Sequence, residues 1–522
     1  RWTSSKRITF SRPVRWILAL FNGEVLRLSF GSVKSSNKTF GHRFLSKGGI
    51  EVKEVSEYEN LLKENFVIPD FSERKEIILK ALKKSAEDIG GKPFYPEGLV
   101  EEVANLVEYP FPVLGKFEEK YLELPPLVIT TVAAHHQRFF CFERDGKLLN
   151  YFLGISNNKP NEKIKEGYEK VLKARLEDAL FFYREDLKKD LKSLIPELKK
   201  VLFHPKIGSM YEKEERMEKI AKKLCPLLSC EWEKVKEAVW LSKVDLLTEM
   251  VKELDELQGY MGYVYAKSQG YDEEVAKALW EQYFPKSLED KVPETKTGTI
   301  LSLSDKIDNL YSFFKVGEIP RGSSDPYGLR RSAFGIIKIL DVKNIDVNLE
   351  EFKEIYGEFK HYPKLVDFIK QRLVSYLEDY PIDIVRAVLN VYSPMEPYKV
   401  IRKVRILYEA SRSPEFPLVV EAAKRVIRII PKDWKNYEVD EKLLIEEAER
   451  ELYEKLKEFE SKDIASPLEL LPLKKYIDNL FDNVKVMAEE EEIRRNRISL
   501  LKRVEKLFRK FGDFNEIVIK EG

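Results

Sequence analysis

The stretch Leu301–Leu340, LSLSDKIDNLYSFFKVGEIPRGSSDPYGLRRSAFGIIKIL, places the strongest limit on how this chain can fold. Ile300, Leu303, Ile307, Leu310, Tyr311 and Phe314 recur at helical spacing, which predicts a helix with one apolar face and leaves Asp305 and Asp308 outside that face. A second helix is expected to open at Ser324-Asp325-Pro326. Asp325 is a favourable N-cap, and proline at the first helical position loses no hydrogen bond. Leu329, Ala333, Ile336, Ile337 and Leu340 then face inward and set Arg330, Arg331 and Lys338 together on another side. Acidic and basic groups are thus expected on separate rigid surfaces.

The chain has 522 residues, enough for three or four domains at about 150 residues each. Lys plus Arg total 90 against 89 Asp plus Glu, so a polyanionic partner would need a local basic surface rather than a global excess. Cys141, Cys225 and Cys230 cannot all pair and lack zinc-ligand spacing, which fits a reducing compartment. No run of about 18 apolar residues and no signal-peptide pattern is present, so a cytoplasmic protein with no membrane partner is expected. The first residue, Arg1, suggests a fragment or a processed chain.

Asn22-Gly23 predicts a hairpin, followed by a strand in which Leu26, Leu28 and Phe30 alternate with polar residues. Residues 56–66 and 72–89 read as helices, the second stopped by Gly90-Gly91, and 111–155 as short mixed segments that include Val128–Thr131 and Tyr151–Ile155. From Glu169 onward the pattern is almost wholly helical. The run Val235–Leu257 predicts one helix ended by Gly259. Beyond Pro394, Leu444–Phe459 and Ile493–Phe511 each predict a long helix. The fold class is therefore multidomain and mainly α with an N-terminal α+β region. Its expected parts are 1–165, 166–340, a helical linker 341–394 and a helical domain 395–522.

Chemistry-bearing motifs are few. His42, His135, His136, His204 and His361 form no metal-ligand spacing, and no phosphate-cradling glycine loop or nucleophile elbow is present. His135-His136-Gln137-Arg138 could present donors to a ligand or simply end a strand; Gly41-His42-Arg43-Phe44 reads as structural. The strongest feature lies in 493–512, where Arg494, Arg495, Arg497, Lys502, Arg503, Lys506, Arg509 and Lys510 face a single acid, Glu505. Such asymmetry on one helix suits a nucleic-acid backbone, although a charge run is more often a solvated face. Lys424, Arg425 and Arg428 could extend the patch.

Several segments in order, SRPVRWILAL, GHRFLS, LVEEVANLVEYP, YEKVLKARLEDALFFYREDL, LSKVDLLTEMVKELDELQGYMGYVYA and the 304–340 stretch, together resemble the β subunit of the bacterial tetrameric glycyl-tRNA synthetase. The family's N-terminal portion has no counterpart here. The resemblance implies a tRNA-binding partner of an α subunit in an α2β2 assembly. ATP and Mg are then expected at the α subunit's class II site, with no cofactor in this chain. It implies that the C-terminal stretch FDNVKVMAEEEEIRRNRISLL belongs to an anticodon-binding helical domain of the kind found in arginyl-tRNA synthetases. Arg494, Arg495 and Arg497 are the anticodon-side tRNA contacts it implies, Lys502, Arg425 and Arg428 are expected to extend that surface, and Arg321, Arg330 and Arg331 are candidates for the acceptor or elbow side. The middle region resembles the HD fold, whose hydrolytic members hold metal with a His-Asp pair. Here Lys243-Val244-Asp245 stands where that pair is expected and only Asp305 keeps its type, so metal hydrolysis is not expected. The alternatives are an HD-type phosphohydrolase or a scaffold for the α subunit.

Overall fold

The structure, a computed structural model, describes residues 12–435 and 437–519; Arg1, and Ser11 of the SRPVRWILAL segment, lie outside the described residues. The chain is mostly helical with small sheets and divides into two compact units. One runs to Lys189 and includes Thr248–Gln258; the other comprises Asp190–Leu247 and the chain from Gly259 onward.

In the first unit, Asn22 and Gly23 take positive φ values of 49° and 80° and close the hairpin Leu20–Phe21/Glu24–Val25, as expected. The longer strand does not form. Only Ser29–Phe30 pairs, with Val33–Ser36, and Leu26 and Leu28 are exposed, so their alternation never meets a core. Helix α1 (Phe71–Ile89) begins on Asp70, whose carboxylate accepts from the Glu73 N–H, and ends at Gly90 with φ 66°. A four-stranded antiparallel sheet follows, built from β1 (Lys92–Phe94), β2 (Phe111–Lys116), β3 (Phe140–Arg144) and β4 (Lys147–Ser156) in the order β1-β3-β4-β2. Phe140, Phe142 and Leu153 of this sheet pack with Ile78 and Leu82 of α1 and with Val100 and Val103 of helix α2 (Leu99–Leu106). Val128–Thr131 belongs to a short helix, Pro126–Thr131, because Pro126 occupies its first position. Helix α3 (Glu162–Leu187) starts on the Asn161 cap, and near its end the Asp186 carboxylate accepts from the N–H groups of Glu249 and Met250.

The second unit surrounds one helix. α4 (Met210–Leu228, opened by a Ser209/Glu212 capping box), α5 (Trp232–Leu241), α6 (Glu273–Glu281) and α8 (Leu329–Val342) all pack on α7 (Lys296–Lys315). Of the 20 residues of α7, 17 are buried. The expectation of one apolar face is corrected here: a helix covered on all sides has no surface for Asp305 and Asp308, and both lie inside. Val235–Leu257 is not one helix either. After α5 it continues as a 3-10 turn (Val244–Leu247), a five-residue helix (Glu249–Glu253, capped by Thr248) and a second 3-10 turn (Asp255–Leu257), and Gly259 stands before the next helix. Helix α8 begins at Leu329 rather than Pro326, since Gly328 enters the left-handed region; Asp325 still caps it, accepting from the N–H groups of Leu329 and Arg330.

Toward the C-terminus come α9 (Tyr362–Tyr376), α10 (Pro397–Ser411), α11 (Phe416–Ile429), α12 (Glu447–Glu460), α13 (Leu473–Asn483) and α14 (Glu491–Arg509). α12 and α14 match the two long helices expected. Leu444 is buried but precedes the first of them.

Gly298 shows how tightly α7 is seated. A Cβ there would lie 1.9 Å from Glu281 Oε2, on a carboxylate that accepts from the N–H groups of Glu294 and Thr295. Gly298→Ala should lower stability by about 1–3 kcal/mol through overpacking and lost hydrogen bonds. Gly167→Ala, in α3 with open space around it, should be neutral or stabilising by up to about 1 kcal/mol. Thermal melts of the two variants check this.

Candidate functional site

The interior of the second unit holds an ionic cluster centred on α7. Lys213 of α4 sits at 2% exposure with its Nζ 3.3 Å from Asp305 Oδ1, 3.0 Å from Asp308 Oδ2 and 2.8 Å from Asn309 Oδ1. Lys243, just past α5, places its Nζ 2.8 Å from the same Asp305 oxygen and 2.7 Å from Gln282 Oε1. Asp308, fully buried, also accepts from Arg216 Nε and the Tyr356 hydroxyl, both at 2.7 Å. Burial alone would push both carboxyls up; the ammonium groups of Lys213 and Lys243 hold Asp305 well below the usual range, and Lys213 and Arg216 do the same for Asp308.

In three further buried groups burial prevails and disfavours the charged form. Lys306 donates to the carbonyls of Gln282 and Phe284 and to Ser302 Oγ, and burial pushes its ammonium down to about 7, against partial rescue by Asp305. Burial also raises Glu214 well above the ordinary carboxylate range, although its Oε1 accepts from the Lys243 N–H. Asp245 is raised to about 6 for the same reason, while its Oδ2 receives the N–H groups of Gly259 and Gly262. The cluster is thus arranged around ammonium groups, which donate hydrogen bonds and cannot ligate a metal while protonated. Among the described residues no three His, Cys, Asp or Glu side chains converge as a metal-binding group.

The basic C-terminal helix presents less free charge than its composition suggests. Arg497 is not on its surface: at 5% exposure, its Nε is 2.5 Å from the buried carboxylate of Glu449, and Nη1 donates to the Lys485 carbonyl. Arg503 pairs with Glu460, while Lys502 and Arg509 converge on Glu505. Arg494 is half-buried and donates to the Ala488 carbonyl. Arg495 is exposed, with its guanidinium 5.0 Å from the Tyr437 ring, and Lys506 and Lys510 are exposed beside it in sequence. On α11, Arg425 pairs with Asp478 at 2.8 Å and Asp482 at 3.2 Å; Arg428 is exposed, and Lys424 donates to the Ile517 carbonyl. Arg321 and Arg331 are exposed and Arg330 half-buried, around the loop that precedes α8.

The remaining motifs divide: His42 lies inside, whereas His135 and His136 are exposed. His42 is buried and accepts from the N–H groups of Phe44 and Leu45, and a Cβ on Gly41 would lie 2.5 Å from Asn65 Cβ. His135 pairs with Glu256 at 3.1 Å. The three cysteines are free thiols, and burial pushes Cys141 up to about 12.

Lys213, Arg216, Gln282, Lys306 and Tyr356 were not expected at the cluster. A signal existed for Lys213, which shares the helical stripe of Met217, Ile220 and Leu224, an unusual place for a lysine that stays solvated. Nothing local in the sequence marks Gln282 or Tyr356.

A mostly helical protein organised on a buried ionic cluster, with exposed arginines and lysines on its C-terminal helices, is the class that fold and geometry define. Comparison gives the family. The model described as "Glycyl-tRNA synthetase beta subunit" matches residues 1–390, and this chain belongs to that family. The protein named glycine--tRNA ligase beta subunit of Aquifex aeolicus (strain VF5) is 87% identical over 522 residues, covering 100% of this chain and 79% of that protein. Its namesake in Sulfurihydrogenibium sp. (strain YO3AOP1) is 44% identical, covering 99% of this chain and 78% of its own length. The Clostridioides difficile (strain 630) namesake is 38% identical, covering 100% and 79%.

Asp305→Asn should lower the stability of the second unit by about 3–5 kcal/mol, because buried Lys243 loses its paired carboxylate and Lys213 keeps only Asp308; chemical denaturation checks it. The pH dependence has two signs. Asp305 and Asp308 are depressed below 3.8, so their stabilisation is present above that value and lost as pH falls through the lower folded values. Lys306 is depressed from 10.5 to about 7, so the unfolded chain binds the extra proton between those values and stability should rise with pH there. Lys306→Met should flatten that rise, by at most about 1.4 kcal/mol per pH unit in denaturation curves.

Proposed function

We propose that this chain works as the beta subunit of a glycine–tRNA ligase, binding glycine tRNA and positioning it for ATP-dependent glycylation at an active site carried by an alpha subunit. The observation that carries this reading is identity of 87% along the whole chain with a protein of that name. ATP and Mg belong, in this reading, to the alpha subunit of an α2β2 assembly, and a cytoplasmic setting goes with it.

Within the chain the work divides by region. Residues 395–522 act as the anticodon-binding domain, using Arg494, Arg495, Arg428, Lys506 and Lys510. Arg495, Arg428, Lys506 and Lys510 keep exposure, and all five keep charge that Arg497 and Arg425 spend on carboxylates. Phosphate neutralisation supplies affinity, and the aromatic surface at Tyr437 offers a stacking platform for an unpaired base. Residues 166–340 form an HD-like domain without metal chemistry, in which the ammonium groups of Lys213 and Lys243 take up the charge of Asp305. The first 165 residues form an α+β part of the RNA-binding surface, and 341–394 connect the two helical regions.

A titration of glycine tRNA should give binding that weakens steeply with salt. Absence of binding at low salt, with the alpha subunit present, would sink the reading. Reversing Arg494, Arg495 and Lys506 to glutamate should weaken binding at least about tenfold without lowering the melting temperature, since a phosphate left without its cation keeps its condensed counterion. Arg497→Glu should instead unfold the C-terminal helices, leaving Glu449 buried against a like charge.

A further inference from the structure

Several arginines of the second unit carry a carboxylate partner: Arg216 with Asp308, Arg405 with Asp341, Arg425 with Asp478, Arg503 with Glu460. Three arginines around the start of α8 depart from that habit. Arg321 lies in the Gly317–Gly328 loop, whose tip is closed by the reciprocal backbone hydrogen bonds Arg321 N–H to Ser324 O (3.1 Å) and Ser324 N–H to Arg321 O (2.9 Å). Arg330, in the first turn of α8, donates from Nη2 to the Gly322 carbonyl and so ties that tip to the helix. Arg372 of α9 lies 4.7 Å from the Phe368 ring and 5.8 Å from that of Phe334, one turn after Arg330. Its Nη2 reaches only Gln371 Oε1, at 3.3 Å, and its Nε is buried without a hydrogen-bond partner.

The local acid, Asp325, offsets only part of the charge repulsion at Arg372. Both oxygens of Asp325 are occupied by the N–H groups of Leu329 and Arg330 at the helix terminus. Among the described residues, none of the three guanidiniums forms an ion pair. Burial, and then the like charge of Arg330, push Arg372 below the ordinary arginine value. An anion seated between Arg330 and Arg372 would remove that repulsion and supply an acceptor for an unmet donor. The aromatic faces of Phe334 and Phe368 hold one planar fork, and the loop hydrogen bond holds the other, so little side-chain entropy remains to be lost on binding.

We propose that Arg330 and Arg372, below the loop that carries Arg321, form a binding site for a backbone phosphate of RNA, with Arg372 as its anchoring residue. The site rests on the tRNA-binding reading above and adds to it a contact remote in sequence from the C-terminal basic helix. Arg331 is not part of it, because its Nη2 turns back onto Gly328, where an added Cβ would lie 2.8 Å away.

The test is a fluorescence titration of glycine tRNA by the full chain at several salt concentrations, with Arg372→Gln, Arg330→Gln, the double variant and Arg372→Lys. Each glutamine substitution should weaken binding several-fold and lower the slope of log K against log salt by about 1, the double by about 2, and Arg372→Lys should restore most of the slope. Wild-type binding with an unchanged slope in both single variants overturns the site and leaves the tRNA-binding reading intact. Loss of affinity in Arg372→Gln at an unchanged slope, or failure of lysine to restore the slope, marks Arg372 as a packing residue and overturns its role. Should Arg372→Gln fail to fold, Arg330→Gln, on a half-exposed side chain, decides by the same slope. A wild-type chain that binds no tRNA at any salt overturns the underlying reading as well.

Discussion

Two ammonium groups directed at one carboxylate, inside a helix that has almost no surface, are what the second unit is built on. Burial alone would drive Asp305 toward its neutral form, and the ammonium groups of Lys213 and Lys243 hold it ionised. Each group comes from a different element, so the contacts fix α4, the residues following α5, and α7 in one register. Asp308 repeats the device with Arg216 and Tyr356. Apolar side chains could have filled the volume with equal or better stability. Charged groups impose a relative placement of helices that apolar packing would leave looser.

Much of the helical framework was legible from periodicity and caps. α1 ends at the predicted Gly90-Gly91 stop, and α12 and α14 form where the Leu444–Phe459 and Ile493–Phe511 runs predict long helices. What periodicity could not reveal was how many neighbours a helix has. The stripe on α7 is real, but the opposite face is covered as well, and polar residues there read as surface because their partners lie on α4 and beyond. The run through Val235–Leu257 failed for a related reason. Its apolar residues are buried, yet Ser242, Lys243 and Asp245 direct polar groups into the interior, and the backbone leaves the α-helix as it does so.

The candidate interface shows the same lesson from the outside. Counting eight basic residues on one helix overstates the charge available, since Arg497, Lys502, Arg503 and Arg509 face carboxylates supplied by α12 or by Glu505. Sequence composition counts charges; the fold decides which of them are already spent. Where spent and unspent cations alternate along a helix, the exposed ones stand on a stiffened base, which suits contact with a rigid polyanion.

The chain's passage through Thr248–Gln258 carries a consequence for how the molecule can be divided. That segment belongs to the first unit although it is flanked on both sides by the second, so the polypeptide passes between units three times. No single peptide cleavage yields two complete bodies. A fragment ended anywhere in 190–247 strips from Asp186, buried at 2% exposure, the N–H groups of Glu249 and Met250. The two units are therefore one unit of inheritance: neither could have been acquired, lost or exchanged by a simple end-to-end fusion without the other being opened.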